Sequence, residues 1–100
     1  MNIETQHTTL VISAMSELTA ITASELKAAV RLNFTAELRD IDFNCVGLGF
    51  IDSSGLGTLI SLQKLAVQQG GKFRLLAPGP QVLQVLELTR MHRVFEIVQP

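Results

Sequence analysis

The first third of the chain changes from a strand pattern to a helix pattern. Residues 8–13 are rich in β-branched side chains, which indicates a strand, and residues 3–6 are placed to pair with it as an opening hairpin. From Thr22 to Phe34 apolar residues recur at helical spacing, which predicts a first helix. Thr22 has Glu25 three residues later, the spacing of a capping box, so we predict that Thr22 is the N-cap.

The middle of the chain carries a second strand pattern that ends in a glycine-containing turn. Residues 39–45 alternate between apolar and polar side chains, which predicts a buried strand. Gly47 and Gly49 predict a turn that brings Phe50 and Ile51 back under the sheet. A helix pattern begins directly after this turn.

That second helix is predicted to open at Asp52 and to end near Gly70 and Gly71, which are typical of a helix C-terminus. Its apolar positions fall on one broad face, which we expect to pack on the sheet. The predicted face consists of Leu56, Leu59, Ile60, Ala66 and Val67.

The last third of the chain contains a short strand pattern, a third helix and a closing strand. The apolar residues at 73–76 stop at a Pro-Gly-Pro sequence, and Pro80 suits the first turn of a helix because its missing N–H costs little there. Residues 94–98 alternate enough to form a final strand. The predicted order ββαβαβαβ implies a single α/β domain over residues 1–100, with a mixed but mainly parallel sheet and helices packed mainly on one face.

Composition and charge narrow the classes of function. Of the 100 residues, 47% are hydrophobic and 17% are charged, which is typical of a globular domain. The net charge of −1, spread along the chain, gives no basic surface for nucleic acid or anionic lipid. No apolar stretch approaches the roughly 20 residues that span a bilayer, and residues 1–7 lack the features of a secretory signal, so we expect a cytoplasmic protein. The single cysteine, Cys45, is expected to be a buried hydrophobe.

The stretch from Gly49 to Gly57 is the strongest candidate for function. It offers short hydroxyl groups at a helix start, where unsatisfied N–H groups and partial positive charge favour an anion such as a phosphate on Ser53. Gly55 and Gly57 lack side chains that would hold a partner's surface away. The residues alone are equally consistent with a plain turn that has a serine N-cap.

Known catalytic and metal-binding patterns fit neither this stretch nor the rest of the chain. A hydrolase nucleophile elbow needs glycine two residues before the serine, but Ile51 precedes Ser53 at that spacing. The only Gly-Lys pair, Gly71-Lys72, lacks the serine or threonine of a phosphate-binding loop. The three aspartates that could suggest magnesium, Asp40, Asp42 and Asp52, are better explained as solvated carboxylates. We therefore expect a protein that is not an enzyme and has no metal or cofactor.

The chain resembles the sulfate-transporter and anti-sigma-factor-antagonist (STAS) family. The specific match is Phe50-Ile51-Asp52-Ser53-Ser54-Gly55-Leu56-Gly57, the hallmark loop and helix start of that family. Weaker matches are residues 22–26, residues 69–71 with the strand that follows, and residues 80–98. The chain departs from the family pattern in two places: residues 16–19 are Ser-Glu-Leu-Thr where Gly-Glu-Leu-Asp is usual before the first helix, so that Thr19 replaces the aspartate, and Arg90 replaces a common glycine.

The resemblance implies an anti-sigma factor antagonist that acts as a substrate and switch. In this family the serine after the aspartate, here Ser53, is phosphorylated by an anti-sigma factor that is itself a serine kinase. The unphosphorylated form binds the kinase and releases its sigma factor, and a metal-dependent serine phosphatase restores that form. Ser54 is a secondary candidate, because it lies closer to the expected cap and is predicted to be committed to backbone N–H groups. The implied partner-binding residues are Thr19, Ile21, Thr22, Asp52, Ser53, Ser54, Gly55, Leu56 and Gly57.

Two other functions within the family stay open on the sequence. One is a scaffold subunit of a transporter complex that is not phosphorylated, against which the presence of both Ser53 and Ser54 argues. The other is a module that senses a small ligand such as a nucleotide. No sequence motif for a binding pocket supports the second function.

Overall fold

The computed structural model describes residues 1–100 and contains seven strands, three α-helices and one 3-10 turn. The strands are β1 (Asn2–Gln6), β2 (Thr9–Ser13), β3 (Glu17–Leu18), β4 (Asp40–Asn44), β5 (Phe50–Ile51), β6 (Phe73–Leu76) and β7 (Glu96–Val98). The helices are α1 (Ala20–Asn33), α2 (Ser53–Gln68) and α3 (Pro80–Leu88), and the 3-10 turn is Met91–Arg93. No helix is both long enough and apolar enough to cross a membrane.

Five of the strands form one mixed sheet in the order β1-β2-β4-β6-β7. β1 pairs antiparallel with β2, from Asn2 opposite Ser13 to Gln6 opposite Thr9, which confirms the predicted opening hairpin. The other three pairings are parallel, as expected for strands connected through helices. The mainly parallel sheet is therefore confirmed.

One face of this sheet carries the core. Alternate residues of β2, β4 and β6 are almost completely buried, and they form one cluster with buried residues of all three helices. The opposite face is more polar: the Arg74 Nε donates to Asp42 at 2.6 Å on neighbouring strands, and this pairing raises the pKa of Arg74. The helices thus cover one face, as predicted.

The two remaining strands, β3 and β5, pair in parallel as a separate two-stranded sheet, with Glu17 opposite Phe50 and Leu18 opposite Ile51. β3 was not predicted from the sequence. Phe50 was also predicted to lie under the main sheet, which is wrong: Ile51 is buried, but Phe50 is 56% exposed. Successive strand residues point to opposite sides, so burying Ile51 turns Phe50 outward.

Helix α1 begins at Ala20, two residues earlier than the sequence predicted, and its N-cap lies three residues earlier. Its N-cap is Thr19 rather than Thr22, because pairing of β3 with β5 holds the chain extended up to Thr19 (φ −117°, ψ −176°). Thr22 lies in the first turn, where its hydroxyl accepts a hydrogen bond from the Thr19 N–H at 2.8 Å and donates one to the Glu17 carbonyl at 3.1 Å. The capping interaction therefore involves Thr19 and Thr22, not Thr22 and Glu25.

Helix α2 packs through most of the predicted face, since Leu56 and Ile60 are also half-buried against the core, and only Val67 is an exception. Leu59 and Ala66 are buried as expected, but Val67 is 63% exposed, since it follows Ala66 by about 100° around the helix. The buried positions are Gly55, Thr58, Leu59, Leu62 and Ala66. Gly70 has a left-handed conformation (φ +80°) directly after the helix, as expected at a C-terminus.

The connection after α3 contains a residue with a left-handed backbone conformation. Arg90 has φ +61°, a conformation that usually favours glycine, and it leads into the 3-10 turn. The final strand starts only at Glu96, two residues later than predicted, because this turn occupies the preceding segment.

At the end of β4, Cys45 is 2% exposed and burial raises its thiol pKa to about 12, consistent with the expected buried hydrophobe.

Candidate functional site

The start of α2 is set by the side chain of Asp52. The backbone of Asp52 is extended (φ −108°, ψ −174°), and its Oδ1 accepts a hydrogen bond from the Gly55 N–H at 2.9 Å. Its carbonyl accepts the first helical bond, from the Leu56 N–H at 3.0 Å. Asp52 is therefore the N-cap, and Ser53 and Ser54 are the first two residues of the helix.

Both serines are exposed, and neither hydroxyl is hydrogen-bonded within the protein. The prediction that Ser54 is committed to the helix cap is wrong, because the Asp52 carboxylate performs that role. Only the Ser54 carbonyl is engaged, by the buried Thr58 hydroxyl at 3.0 Å. Two free hydroxyl groups thus lie side by side in the first turn of α2.

The two glycines of the hallmark stretch have different roles. A Cβ on Gly55 would lie 2.4 Å from the Leu18 carbonyl oxygen and 2.8 Å from Ile51 Cγ1, so Gly55 is needed for packing of α2 against β3 and is buried. The interpretation that Gly55 leaves room for a partner is therefore corrected. Gly57 is exposed, and a Cβ there would meet nothing within 4 Å, so only Gly57 leaves open surface.

The small sheet brings the start of α1 beside the start of α2. Since β3 and β5 are parallel, Thr19 follows Leu18 just as Asp52 follows Ile51, and the Asp52 N–H donates to the Leu18 carbonyl at 3.2 Å. Candidate residues some 30 positions apart in sequence therefore share one edge of the fold. On the α1 side Ile21 is 75% exposed, while Thr19 and Thr22 are half-buried; on the α2 side Leu56 is half-buried against the core.

A depression of about 410 Å³, here called the junction groove, separates the two helix starts. Small side chains predominate along it, and the one charged residue is Lys27 of α1. Its lining comprises Ala20, Ala23, Ser24 and Lys27 from α1 with Ser54, Gly57 and Thr58 from α2. Lys27 was not predicted from the sequence, because its place in the groove depends on the packing of α1 beside α2.

Phe50 is the second residue that the sequence analysis did not place at this surface. It lies three positions before Ser53 and leaves over half of its ring exposed, which is unusual for a large aromatic side chain. No sequence signal could have identified it, because Phe50 and Ile51 are both apolar and only the structure shows that Ile51 is the buried one.

The start of α2 is suited to accept a phosphate, which would change the charge of the surface formed by the two helix starts. Ser53 lies at a helix N-terminus, where free N–H groups stabilise negative charge, while the nearest carboxylate, that of Asp52, is engaged by Gly55. No group of three or more His, Cys, Asp or Glu side chains is placed to hold a metal ion.

Comparison with known proteins shows which family and which solved structures this architecture resembles. The model of the STAS domain matches residues 1–99. A candidate anti-sigma factor antagonist from Thermotoga maritima superimposes with a TM-score of 0.83 at 23% identity, covering 99% of this chain and 86% of that one. The anti-sigma factor antagonist SpoIIAA in its unphosphorylated form gives 0.84 at 22% identity, covering 99% and 86%. The phosphorylated form of SpoIIAA, a Bacillus cell fate determinant, gives 0.78 at 23% identity, covering 99% and 89%.

At these identities the structural likeness concerns the fold. The family match covers nearly the whole chain and agrees with the hallmark stretch at the start of α2. The chain therefore belongs to the STAS-domain family.

Proposed function

We propose that this protein is an anti-sigma factor antagonist that is switched off by phosphorylation of Ser53. The observation that carries the proposal is the exposed, unbonded Ser53 hydroxyl at the first residue of α2, on the same edge as the start of α1. The unphosphorylated form binds a serine-kinase anti-sigma factor and displaces its sigma factor. A metal-dependent serine phosphatase returns the modified protein to that form.

The docking surface in this proposal comprises the two helix starts. It includes the exposed Ile21 of α1, the exposed Gly57 of α2, and the serine pair between them. Asp52 and Gly55 contribute by fixing the loop, since both are engaged within the protein. The exposed Phe50 extends the same edge with a large apolar contact of the kind that often dominates binding energy.

A single phosphate is sufficient to control such a surface. It adds about −1.5 to −2 charge where small apolar and hydroxyl groups would otherwise be buried against the partner. A penalty of roughly 3 kcal/mol weakens binding more than a hundredfold. The similarity to SpoIIAA, solved in an unphosphorylated and a phosphorylated form, supports this mode of control.

In this proposal the chain is the substrate of its partners and catalyses nothing itself. The choice of Ser53 over Ser54 rests on the family pattern, because both hydroxyls are free in the structure. Ser54 faces the junction groove, whereas Ser53 is not among the residues that line it.

The test is phosphorylation by the serine-kinase proteins encoded in the same genome. Each is incubated with ATP and with the wild-type protein, Ser53→Ala or Ser54→Ala, and intact mass is measured. We expect a gain of one phosphate in the wild type and in Ser54→Ala, and none in Ser53→Ala. Equal phosphorylation of the two variants would reject Ser53 as the site. Binding to a transporter subunit, with no binding to any serine kinase, would favour the scaffold function instead.

A further inference from the structure

A second depression between α1 and α2 lies further from the helix starts, and we call it the basic groove. Its floor contains Val30 and Leu62, which are at most 1% exposed, and Phe34 and Leu65 form apolar walls. Its volume of about 430 Å³ falls within the range of roughly 300–1,000 Å³ that is typical of small-molecule sites. Leu65 is left 38% exposed there.

Three cations surround this apolar floor. Lys27, Arg31 and Lys64 are three of the eight lysines and arginines in a chain of net charge −1, and no acidic residue lines the groove. None of the three has an ion-pair partner, because both ion pairs of the protein involve Arg74. The groove therefore concentrates positive charge that the protein itself leaves unneutralised.

The helix dipole does not account for this cluster. A cation in the last turn of a helix is stabilised by the partial negative charge there, which explains Arg31 in α1. Lys27 lies more than a turn earlier, and Lys64 comes before the last turn of α2. The convergence of these two lysines on the apolar floor needs another explanation.

We propose that the basic groove binds a small amphipathic anion, a carboxylate or phosphate on an elongated apolar body. The head group is held among the three cations, and the body covers Leu65 and Phe34. From Lys27 to Phe34, α1 rises by roughly 10 Å, which sets the length of the apolar body. This site goes beyond the proposed switch: neither Ser53 nor Ser54 lines the basic groove, and Lys27 is the one residue that lines both grooves.

The test uses isotope-labelled full-length protein and titrations followed by backbone amide chemical shifts. The probes are decanoate and decyl phosphate, each below its micelle concentration, with decanol and decyltrimethylammonium as neutral and cationic controls. We expect saturable shifts along residues 27–34 and 61–69 with either anion, and binding at least about fivefold weaker with decanol. A preference between the two anions identifies the head group.

Variants distinguish binding in the basic groove from attraction of the anion by general surface charge. Lys64→Glu and Arg31→Glu should each raise the Kd of decanoate at least about fivefold, whereas Lys72→Glu, an exposed cation outside the groove, should leave it unchanged. Ser53→Ala should also bind as the wild type does, which keeps this test distinct from that of the switch. Equal affinity for all four probes, equal affinity of Lys64→Glu and Lys72→Glu, or no saturable shift would each overturn the proposal. Binding of an acidic amphipathic peptide without binding of either anion would do so as well.

Discussion

The starts of α1 and α2 are two versions of one structure. Each follows a two-residue strand of the small sheet, and each has an extended cap residue, Thr19 (φ −117°, ψ −176°) or Asp52 (φ −108°, ψ −174°). At Thr19 the cap's own N–H is bonded by the Thr22 hydroxyl, whereas the Asp52 carboxylate bonds the Gly55 N–H. The backbone geometry is thus the same, but the groups that stabilise it differ.

This difference determines which start can carry a switch. At α1 a hydroxyl belongs to the capping interaction, and the next residues, Ala20 and Ile21, have none. At α2 the carboxylate of Asp52 makes the cap bond, so the hydroxyls of Ser53 and Ser54 stay free. A helix start can therefore accept a covalent change without losing its cap when the cap and the modified residue are different residues.

The largest expected effect concerns charge at the first residue of each helix. Phosphorylation of Ser53 should weaken binding to the cognate kinase more than a hundredfold, or by roughly 3 kcal/mol. Ala20→Asp places a charge at the equivalent position of α1 and should weaken binding less than Ser53→Asp does. Titration calorimetry with the kinase measures both, with Gln84→Glu on α3 as a control for net charge. Tight binding by the phosphorylated protein would refute the switch.

Packing between the two helix starts is the next largest effect. Gly55→Ala would place a Cβ 2.4 Å from the Leu18 carbonyl oxygen, so we expect a loss of about 1–3 kcal/mol in the free energy of unfolding. The matched control is Gly57→Ala, in the same helix with open space around it, which should be neutral or stabilising by up to about 1 kcal/mol. Urea denaturation of the two variants measures the difference. Equal stabilities would mean that the helix can move away from β3 at no cost.

The sequence predicted the main sheet well because its elements are long enough to show a period. The alternation in residues 39–45 and the β-branched run at 8–13 specify β4 and β2, and the helical spacing of Leu26 and Val30 specifies α1. The same reasoning could not find β3, because two residues have no period. The pairing of β3 with β5 depends on chain segments that meet only in the folded protein.

The errors at the candidate site have the same origin. Thr19 and Thr22 are both good cap residues, and β3 decides between them by holding Thr19 extended. The hallmark stretch predicted Ser53 and Asp52 as candidate residues, but it could not show that Gly55 is packed against Leu18. Tertiary contacts, rather than local propensity, assign these roles.

A smaller effect is expected from removing each cap. Asp52→Ala deletes the acceptor of the Gly55 N–H and should lower the free energy of unfolding by about 1 kcal/mol. Thr19→Ala should cost less, because the Thr19 hydroxyl has only a 3.5 Å contact with that of Thr22. Asp52→Asn keeps an acceptor oxygen and should recover most of the loss. If Thr19→Ala lowered the free energy of unfolding more than Asp52→Ala, the proposed difference between the two helix caps would be incorrect.

The smallest effect is expected at Ser53, and it decides how phosphorylation acts. Ser53→Ala removes an exposed, unbonded hydroxyl and should change the free energy of unfolding by no more than about 0.5 kcal/mol. Phosphorylation should stabilise the fold slightly, by about 0.3–1 kcal/mol, because negative charge is favoured at the N-terminus of α2. Thermal or urea unfolding of the three forms measures this. A marked loss of stability on phosphorylation would mean that the phosphate disrupts the α2 start, whereas unchanged or raised stability with lost kinase binding shows that it acts at the surface.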